Sequence, residues 1–316
     1  MLSHKNSPYI SLEQMLEALQ ETTKKILEKS VIQRDAQSIA RLAQQALLYE
    51  AAIAPKPGLV DRIDNGSHQD MDLFTFLSSA ASLFPYFQKC AALGLSFSLQ
   101  EAPPDKAELF SLLRLPGKLA ENQMLLATGG VNTHKGAVFS MGILCAAIGA
   151  QSFENRKDPQ KILQTCGEMT RGMVSRDLKG LTLKEANTTG QKLYVQYGIS
   201  GIRGEIEAGL PAVYHYGLPL MEKMQKEGRS IDETGTAVLL HLFAHVTDTN
   251  FIARSDVKTW KKTAESLAAL LKDNPIPSRR DLEELNRTFI QKNVSPGGSA
   301  DLLSVCWMLY FMKTFF

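Results

Sequence analysis

The chain has 316 residues, 44% of them hydrophobic, and a formal net charge of +2 at pH 7. Such a chain buries a substantial core, as one large domain or two ordinary ones. The small net charge argues against general nucleic-acid binding, which needs a strongly basic surface. No stretch reaches the ~20 apolar residues of a membrane span, and the first residues lack the apolar core of a secretory signal. We therefore expect a cytoplasmic protein that binds neither nucleic acid nor membranes.

Apolar residues recur every three or four positions along most of the chain, which is the period of an amphipathic helix. The pattern runs from Leu12 to Leu27, with Ser11 as N-cap, and again from Ile39 to Leu47, before the prolines and glycine of APKPG end it. Further helices are predicted at residues 73–93, 107–127, 136–150, 159–174, about 205–226, 231–247, 257–272, 279–292 and 299–314.

Strand signals are poor, because the apolar residues are mostly Leu, Ala and Met, which favour helices. The sequence therefore predicts an all-α protein. We expect a single multi-helix domain at residues 36–316, preceded by a helical extension at residues 1–35. The four cysteines are far apart in sequence and form no C-x-x-C pair, so we expect buried free thiols.

Five polar, glycine-rich stretches lie between the predicted helices. Taken singly, each is typical of capping residues and solvated loops. Together they repeatedly pair acids with Lys or Arg beside glycines at helix starts, which predicts one cleft for an anion. Carboxylates that hold Mg²⁺, with cations and N-terminal amides that neutralise phosphate, suit a metal–triphosphate. The stretches are PKPGLVDRIDNGSHQDMD (55–72), GGVNTHKG (129–136), GISGIRGEIEAG (198–209), DTNFIAR (248–254) and SPGGSADLL (295–303).

Two histidines four residues apart, His241 and His245, share one face of a predicted helix. The metalloprotease pattern H-E-x-x-H is absent, since Leu242 stands where the glutamate belongs. We interpret this pair as packed or partly exposed side chains rather than as metal ligands.

Over about residues 45–314 the chain resembles the triphosphoribosyl-dephospho-coenzyme A synthases. The resemblance rests on PKPGLVDR, NGSHQDMD, GVNTHKG, GIRGEIEAG, DTN and SPGGSADLL, which occur in that family's order. It implies an all-α fold and transfer of the 5-triphosphoribosyl group of ATP to the 2′-hydroxyl of 3′-dephospho-CoA, with release of adenine. The product would be the prosthetic-group precursor of citrate lyase or, in a close branch, of malonate decarboxylase. One departure is that Ser255 and Asp256 replace the family's Gly-Gly after Arg254.

The implied reaction inverts C1′ of the ribose, so one carboxylate should act as base on the attacking hydroxyl. We expect that base to be Glu205 or Asp248, because each lies in a motif beside a cation. The candidate Mg²⁺ ligands are Asp64, Asp248 and Asp301. The candidate phosphate-binding groups are Lys56, Arg62, Asn132, His134, Lys135, Arg203 and Arg254, with Gly297, Gly298 and Ser299.

The expected partners are ATP, 3′-dephospho-CoA and a carrier-protein transferase that receives the product. A homodimer is plausible, because so many helices carry apolar residues. Two other interpretations stay open at this point. One is a non-catalytic ATP-binding accessory protein of the lyase complex, and the other is a related ribosyl transferase with a different acceptor.

Overall fold

The computed structural model describes residues 12–100 and 104–316, and within these ranges it contains helices and no strand. The all-α prediction is confirmed. A 3₁₀ turn at Phe153–Lys157 and a π-helical turn at Val213–Gly217 supplement the α-helices. The α-helices are α1 Leu12–Ala52, α2 Leu73–Ser82, α3 Phe84–Ser98, α4 Lys106–Ala127, α5 Lys135–Gly149, α6 Pro159–Thr170, α7 Met173–Leu178, α8 Thr189–Tyr197, α9 Gly201–Glu207, α10 Leu218–Lys226, α11 Ile231–His245, α12 Thr249–Arg254, α13 Val257–Asp273, α14 Arg279–Gln291 and α15 Gly297–Phe315.

Two helices, α5 and α15, form the centre of the molecule. Both are apolar nearly all round, which is the pattern of a helix buried on every side. Helix α3 and the second half of α1 pack against α5, and α1 also packs on α15. A smaller apolar cluster joins α11, α12 and α14 through Phe243, Phe251 and Phe289, whose ring centres lie 5.0 to 6.1 Å apart. The packing around α5 and α15 fixes the positions of their polar N-terminal ends.

Some predicted helices are divided in the structure. The predicted helix 73–93 breaks at Leu83, because Pro85 has no backbone N–H and starts α3. The predicted helix 159–174 breaks at Gly172, whose φ of 72° is left-handed. The segment 205–226 is divided into α9, the π-helical turn and α10, with Leu210 at a φ of 56°. The short helices α8 and α12 were not predicted.

Helix α1 is continuous where the sequence pattern suggested two segments. The predicted domain boundary after residue 35 falls inside this helix, and the predicted cap Ser11 lies outside the described residues. Asp35 is buried and forms a 2.8 Å ion pair with buried Arg156. This pair marks the point where α1 enters the folded body.

All four cysteines are buried, as predicted. Burial raises the pKa of the Cys90 and Cys166 thiols to about 12, so both stay protonated and unreactive at neutral pH. In the parts of the chain that the structure describes, no helix is both long enough and apolar enough to cross a bilayer.

Candidate active site

A cleft of about 910 Å³ opens where the N-terminal ends of α5, α9, α12 and α15 meet the loop before α2. Residues from all five polar stretches line it, although they are spread over most of the sequence. Short loops that precede α8 and α9 complete its wall. The predicted site residues that line the cleft are Lys56, Asn132, His134, Lys135, Arg203, Glu205, Asp248, Arg254, Gly297, Gly298 and Asp301.

Arg62 and Asp64, predicted as a phosphate-binding group and a Mg²⁺ ligand, are not among the residues that line the cleft. The Arg62 guanidinium pairs with Asp232 at the surface, which raises the pKa of Arg62 and lowers that of Asp232. The Asp64 carboxylate accepts hydrogen bonds from the Gly66 N–H at 2.7 Å and from the Asn286 side chain at 2.9 Å. Both side chains thus make contacts that stabilise the loop between α1 and α2.

Asp248 joins the starts of two helices. Its Oδ1 caps α12 by accepting from the backbone N–H of Asn250 at 3.1 Å and of Phe251 at 3.0 Å. Its Oδ2 accepts from the backbone N–H and the hydroxyl of Ser299, both at 2.8 Å. Ser299, predicted to bind a phosphate, directs both of these donors to Asp248 in the structure. The anion at the start of α15 is the carboxylate of Asp248.

The glycines at the start of α15 allow this close approach. A Cβ on Gly297 would lie 2.6 Å from the Asn250 amide nitrogen, and one on Gly298 would lie 3.2 Å from Asp248 Oδ1. The pKa of Asp248 is raised overall, because the effect of burial exceeds that of its hydrogen bonds from the α12 and α15 backbone and from the Ser299 hydroxyl, which lower it. The glycine pair is thus explained by helix packing.

A buried group of charges lies under the start of α5. The Lys56 ammonium is 1% exposed and pairs with the carboxylate of Glu50. Asp301 lies against Gly136, where an added Cβ would come within 1.9 Å of Asp301 Oδ2. Burial and the nearby charges of Glu50 and Asp248 raise the pKa of Asp301. Glu50 was not predicted, although a lone acid in the apolar segment LLYEAAIA was the available signal.

The imidazole of His134 is oriented by the hydroxyl groups of Ser79 and Thr133, and Ser79 was not singled out in the sequence. Thr133 Oγ1 donates to Ser79 Oγ at 2.7 Å, and Ser79 Oγ lies 2.7 Å from His134 Nδ1. Because the Ser79 oxygen accepts from Thr133, its own proton is available to Nδ1, which leaves the imidazole proton on Nε2. Burial and the charge of Lys56 lower the pKa of His134 to about 3, so the ring is neutral.

His134 Nε2 is buried in the cleft wall and has no hydrogen-bond partner among the described residues. An unpaired buried N–H is costly, typically about 1–3 kcal/mol, and such groups are rare in folded proteins. A neutral imidazole with a free N–H can donate to an anionic ligand without itself changing protonation state. His134 Nε2 is therefore the clearest candidate in the cleft to donate a hydrogen bond to a ligand.

Helix α9 carries a cation and a carboxylate two residues apart. In the described part of the chain, no carboxylate pairs with Arg203, whereas Lys135 is paired with Glu121 at 2.9 Å. Glu205 Oε1 accepts from the Ala212 N–H at 2.7 Å, and burial raises the pKa of Glu205. Its second oxygen receives no hydrogen bond from the described residues. Glu205 can therefore accept a proton, and Arg203 can neutralise a bound anion.

Arg254 links α12 to the loop before α2. Its guanidinium donates to the Ser67 carbonyl at 2.9 Å and to Asn293 Oδ1 at 3.2 Å, and it lies 3.0 Å from His68 Nδ1. Burial and the Arg254 charge lower the pKa of His68 to about 4, so the neutral ring accepts from Arg254. Asp256, in place of the expected glycine, caps α13. Arg254 lines the cleft but is largely engaged with protein groups.

His241 and His245 lie outside the cleft lining. The His245 ring stacks on Tyr216 with ring centres 3.6 Å apart, and His241 Nε2 lies 3.1 Å from the Pro275 carbonyl. Among the described residues, no three His, Cys, Asp or Glu side chains are arranged to hold a metal ion by themselves. These contacts agree with packed histidines.

Comparison with known proteins identifies the family. The sequence model of the family described as CitG: ATP:dephospho-CoA triphosphoribosyl transferase matches residues 36–315. Relatives named probable 2-(5″-triphosphoribosyl)-3′-dephosphocoenzyme-A synthase include one from Streptococcus equi subsp. equi, 39% identical over 292 residues, and one from Streptococcus mutans serotype c, 38% identical over 289. Each alignment covers 87% of this chain and 96% of the relative. No solved structure matches the chain. The chain therefore belongs to the family of ATP:dephospho-CoA triphosphoribosyl transferases.

Proposed function

We propose that this protein transfers the 5-triphosphoribosyl group of ATP to the 2′-hydroxyl of 3′-dephospho-CoA and releases adenine. The proposal rests on helix α9, where Arg203 and Glu205 both line the cleft. Within residues 12–100 and 104–316, the Arg203 guanidinium pairs with no carboxylate, and one Glu205 oxygen accepts no hydrogen bond. The Arg203 guanidinium can neutralise a polyanionic substrate, and the Glu205 oxygen can accept the proton of an attacking hydroxyl. The family match over residues 36–315 supports ATP and dephospho-CoA as the substrates.

In this reaction the bond between C1′ of the ATP ribose and N9 of adenine breaks, and a bond from C1′ to the acceptor oxygen forms. Glu205 takes the proton of the attacking 2′-hydroxyl, while adenine leaves with the electron pair of the broken bond and is protonated by water. A carboxylate whose pKa is raised by burial is a stronger base than an exposed one. Asp248, the other candidate base, already accepts four hydrogen bonds and acts by positioning α12 and α15.

Binding of the triphosphate positions C1′ of the ribose in the cleft. Arg203 supplies positive charge, Lys135 adds to it from the start of α5, and the His134 Nε2–H donates to a phosphate oxygen. Charge-assisted hydrogen bonds of this kind are roughly twice as strong as neutral ones. The phosphate oxygen would give Nε2 the hydrogen-bond partner that the described residues do not provide.

We also propose that ATP binds as its Mg²⁺ complex. The donor set fits, because Asp301 faces the cleft next to the charges of Glu50 and Asp248, whose repulsion a divalent cation would relieve. Mg²⁺ needs only one or two protein carboxylates when phosphates and water complete its shell. Asp301 is the carboxylate best placed to hold it. Bound Mg²⁺ would neutralise phosphate charge.

We propose that the product goes to a transferase that loads the acyl carrier protein of citrate lyase or of malonate decarboxylase. The resemblance to the synthase family supports this use. Incubation of the product with each apo-carrier protein and its transferase, followed by intact-protein mass measurement, would separate the two.

The deciding experiment incubates purified protein with ATP, Mg²⁺ and dephospho-CoA and follows adenine and the CoA product by chromatography and mass. We expect equimolar adenine and an adduct that keeps all three phosphates, and no adduct with an acceptor that lacks the 2′-hydroxyl. ATP binding without adenine release would indicate an accessory protein. Adenine release without consumption of dephospho-CoA would indicate another acceptor, and release of ADP would contradict the proposal.

A further inference from the structure

A run of hydrogen bonds ends at the hydroxyl group of Ser295, just before α15. Ser295 is only 2% exposed, yet it lines the cleft. Its Oγ lies 3.0 Å from His68 Nε2, and the Arg254 guanidinium lies 3.0 Å from His68 Nδ1. Arg254 and His68 also line the cleft, and the reaction proposed above gives none of the three a role. These three residues are here called the Ser295 relay.

The chemistry of each group sets the direction of the hydrogen bonds in the Ser295 relay. A guanidinium only donates, so His68 Nδ1 accepts from Arg254 and the ring proton lies on Nε2. The Nε2–H therefore donates to Ser295 Oγ. The Ser295 proton then needs a different acceptor. Within residues 12–100 and 104–316, the Ser295 hydroxyl has no hydrogen-bond partner other than His68.

The buried Ser295 proton is available to a ligand. An unmade hydrogen bond at a buried polar group is costly, and such groups are rare in folded proteins. Because the Ser295 oxygen accepts from His68, its proton is directed away from the relay before any ligand binds. A donor that is oriented in advance loses little conformational freedom when it binds its acceptor. Ser295 is therefore suited to contact a group in the cleft.

The charge around the Ser295 relay favours a negatively charged acceptor. In the described part of the chain Arg254 forms no ion pair, because its guanidinium contacts a backbone carbonyl, a side-chain amide and His68. At His68 the positive charge of Arg254 outweighs the negative charge of Asp70. A hydrogen bond to a charged oxygen is also stronger than one to a neutral oxygen. A phosphate oxygen, which is negative and only accepts, fits this donor.

We propose that Ser295 donates a hydrogen bond to a phosphate oxygen of a bound nucleotide, and that His68 and Arg254 are positioning residues for its hydroxyl. This role rests on the nucleotide substrates of the proposed function. Either substrate can supply the phosphate, ATP from its triphosphate and dephospho-CoA from its diphosphate. The Ser295 hydroxyl adds a donor beside α15 to the groups on α5 and α9 that the proposed function already uses.

Calorimetric titration of the full chain with ATP and, separately, with dephospho-CoA tests this contact. Ser295→Ala should weaken the binding of one of the two ligands about 10- to 100-fold and change the other less than about twofold. The ligand affected identifies the phosphates that Ser295 contacts. Unchanged binding of both ligands would overturn the proposal. Equal weakening of both would also overturn it, because it would indicate a general disturbance of the cleft.

Phosphorus-31 NMR of the chain saturated with the affected ligand shows whether the acceptor is a phosphate. Ser295→Ala should shift the resonance of one phosphate, because the variant no longer donates a hydrogen bond to it. A ³¹P spectrum that does not change would mean that Ser295 contacts another group, and the proposal would be wrong.

Two substitutions of His68 test the positioning role. His68→Gln keeps an amide that can donate to Ser295, whereas His68→Leu removes the donor. His68→Leu should weaken the binding of the same ligand about three- to tenfold, as expected for one neutral hydrogen bond, and His68→Gln should retain most of the affinity. Equal losses in the two variants would remove His68 from the relay. The ¹⁵N chemical shifts of the unaltered chain should show the Nε2–H tautomer of His68, and the Nδ1–H tautomer would contradict the relay.

The matched control is Ser304→Ala, a second buried serine on the C-terminal side of the relay. Its hydroxyl donates to the Ala300 carbonyl at 3.3 Å, and it does not line the cleft. This variant should bind both ligands as the unaltered chain does. Binding does not require turnover, so a lack of adenine release would contradict the proposed function and leave the Ser295 contact open to the same test. An unaltered chain that binds neither nucleotide would overturn both proposals.

Discussion

Replacing Glu205 by glutamine removes the proposed base and little else. In the unaltered protein the Ala212 N–H donates to Glu205 Oε1 at 2.7 Å. The glutamine oxygen can accept the same hydrogen bond, and the side chain keeps its volume. The fold should therefore be retained. Loss of a positioned general base typically lowers kcat by about 10²–10⁴-fold, which corresponds to roughly 3–5 kcal/mol of transition-state stabilisation. The KM for ATP should change little, because Arg203 remains.

The pH dependence gives the same prediction an independent readout. Glu205 must be ionised to accept a proton, and burial raises its pKa. The kcat/KM of the unaltered enzyme should rise with pH through that raised pKa and level off above it. The Glu205→Gln enzyme should lose this acid limb.

Initial rates of adenine release, measured by chromatography across pH, test both statements. The matched control is Glu207→Gln, on the same helix. The Glu207 carboxylate accepts from the backbone N–H of Gly172 at 2.8 Å and of Val174 at 2.7 Å, outside the cleft. This control should lose some stability and keep its turnover. Near-normal turnover by Glu205→Gln, or an unchanged acid limb, would refute the assignment.

Three further substitutions test other parts of the cleft. Asp248→Asn leaves a Ser299 donor without an acceptor and should lower the free energy of unfolding by about 1–3 kcal/mol, read from urea denaturation. Its kcat on folded enzyme should fall less than that of Glu205→Gln, and the opposite order would make Asp248 the base. Arg203→Gln should raise the KM for ATP roughly 10- to 100-fold, since hydrogen bonds to charged groups contribute about 1.5–3 kcal/mol. An unchanged KM would remove Arg203 from the phosphate site. Ser79→Ala should weaken ATP binding in calorimetry and allow both tautomers of His134, which ¹⁵N chemical shifts distinguish. A single unchanged tautomer would contradict the hydrogen bond that Ser79 is inferred to donate to His134 Nδ1.

The sequence predicts the helices well where local pattern and packing agree. Helix α4 was predicted to within one residue, and Pro116 inside it did not end it. The break between α2 and α3 was missed because the apolar period continues across Leu83, and only Pro85 signals a new helix. The left-handed turn at Gly172 likewise depends on one residue in an otherwise regular pattern.

The cleft was predicted as a set of residues but not as an arrangement. Acids near a helix start look alike in sequence whether they cap a helix, as Asp248 does, or hold a loop, as Asp64 does. Their roles depend on long-range partners, such as Asn286 for Asp64, that no local spacing reveals. Ser79 was missed for the same reason, since it lies 55 residues from the histidine that it contacts.

The Asp248 carboxylate couples the starts of α12 and α15, which form two walls of the cleft, into one cooperative unit. The amides of Asn250, Phe251 and Ser299 all depend on its single carboxylate, so they should exchange with solvent deuterium through the same opening event. A wall assembled before the substrate arrives needs little further ordering when it binds. The binding energy of the triphosphate is then available for orienting the ribose rather than for organising the protein.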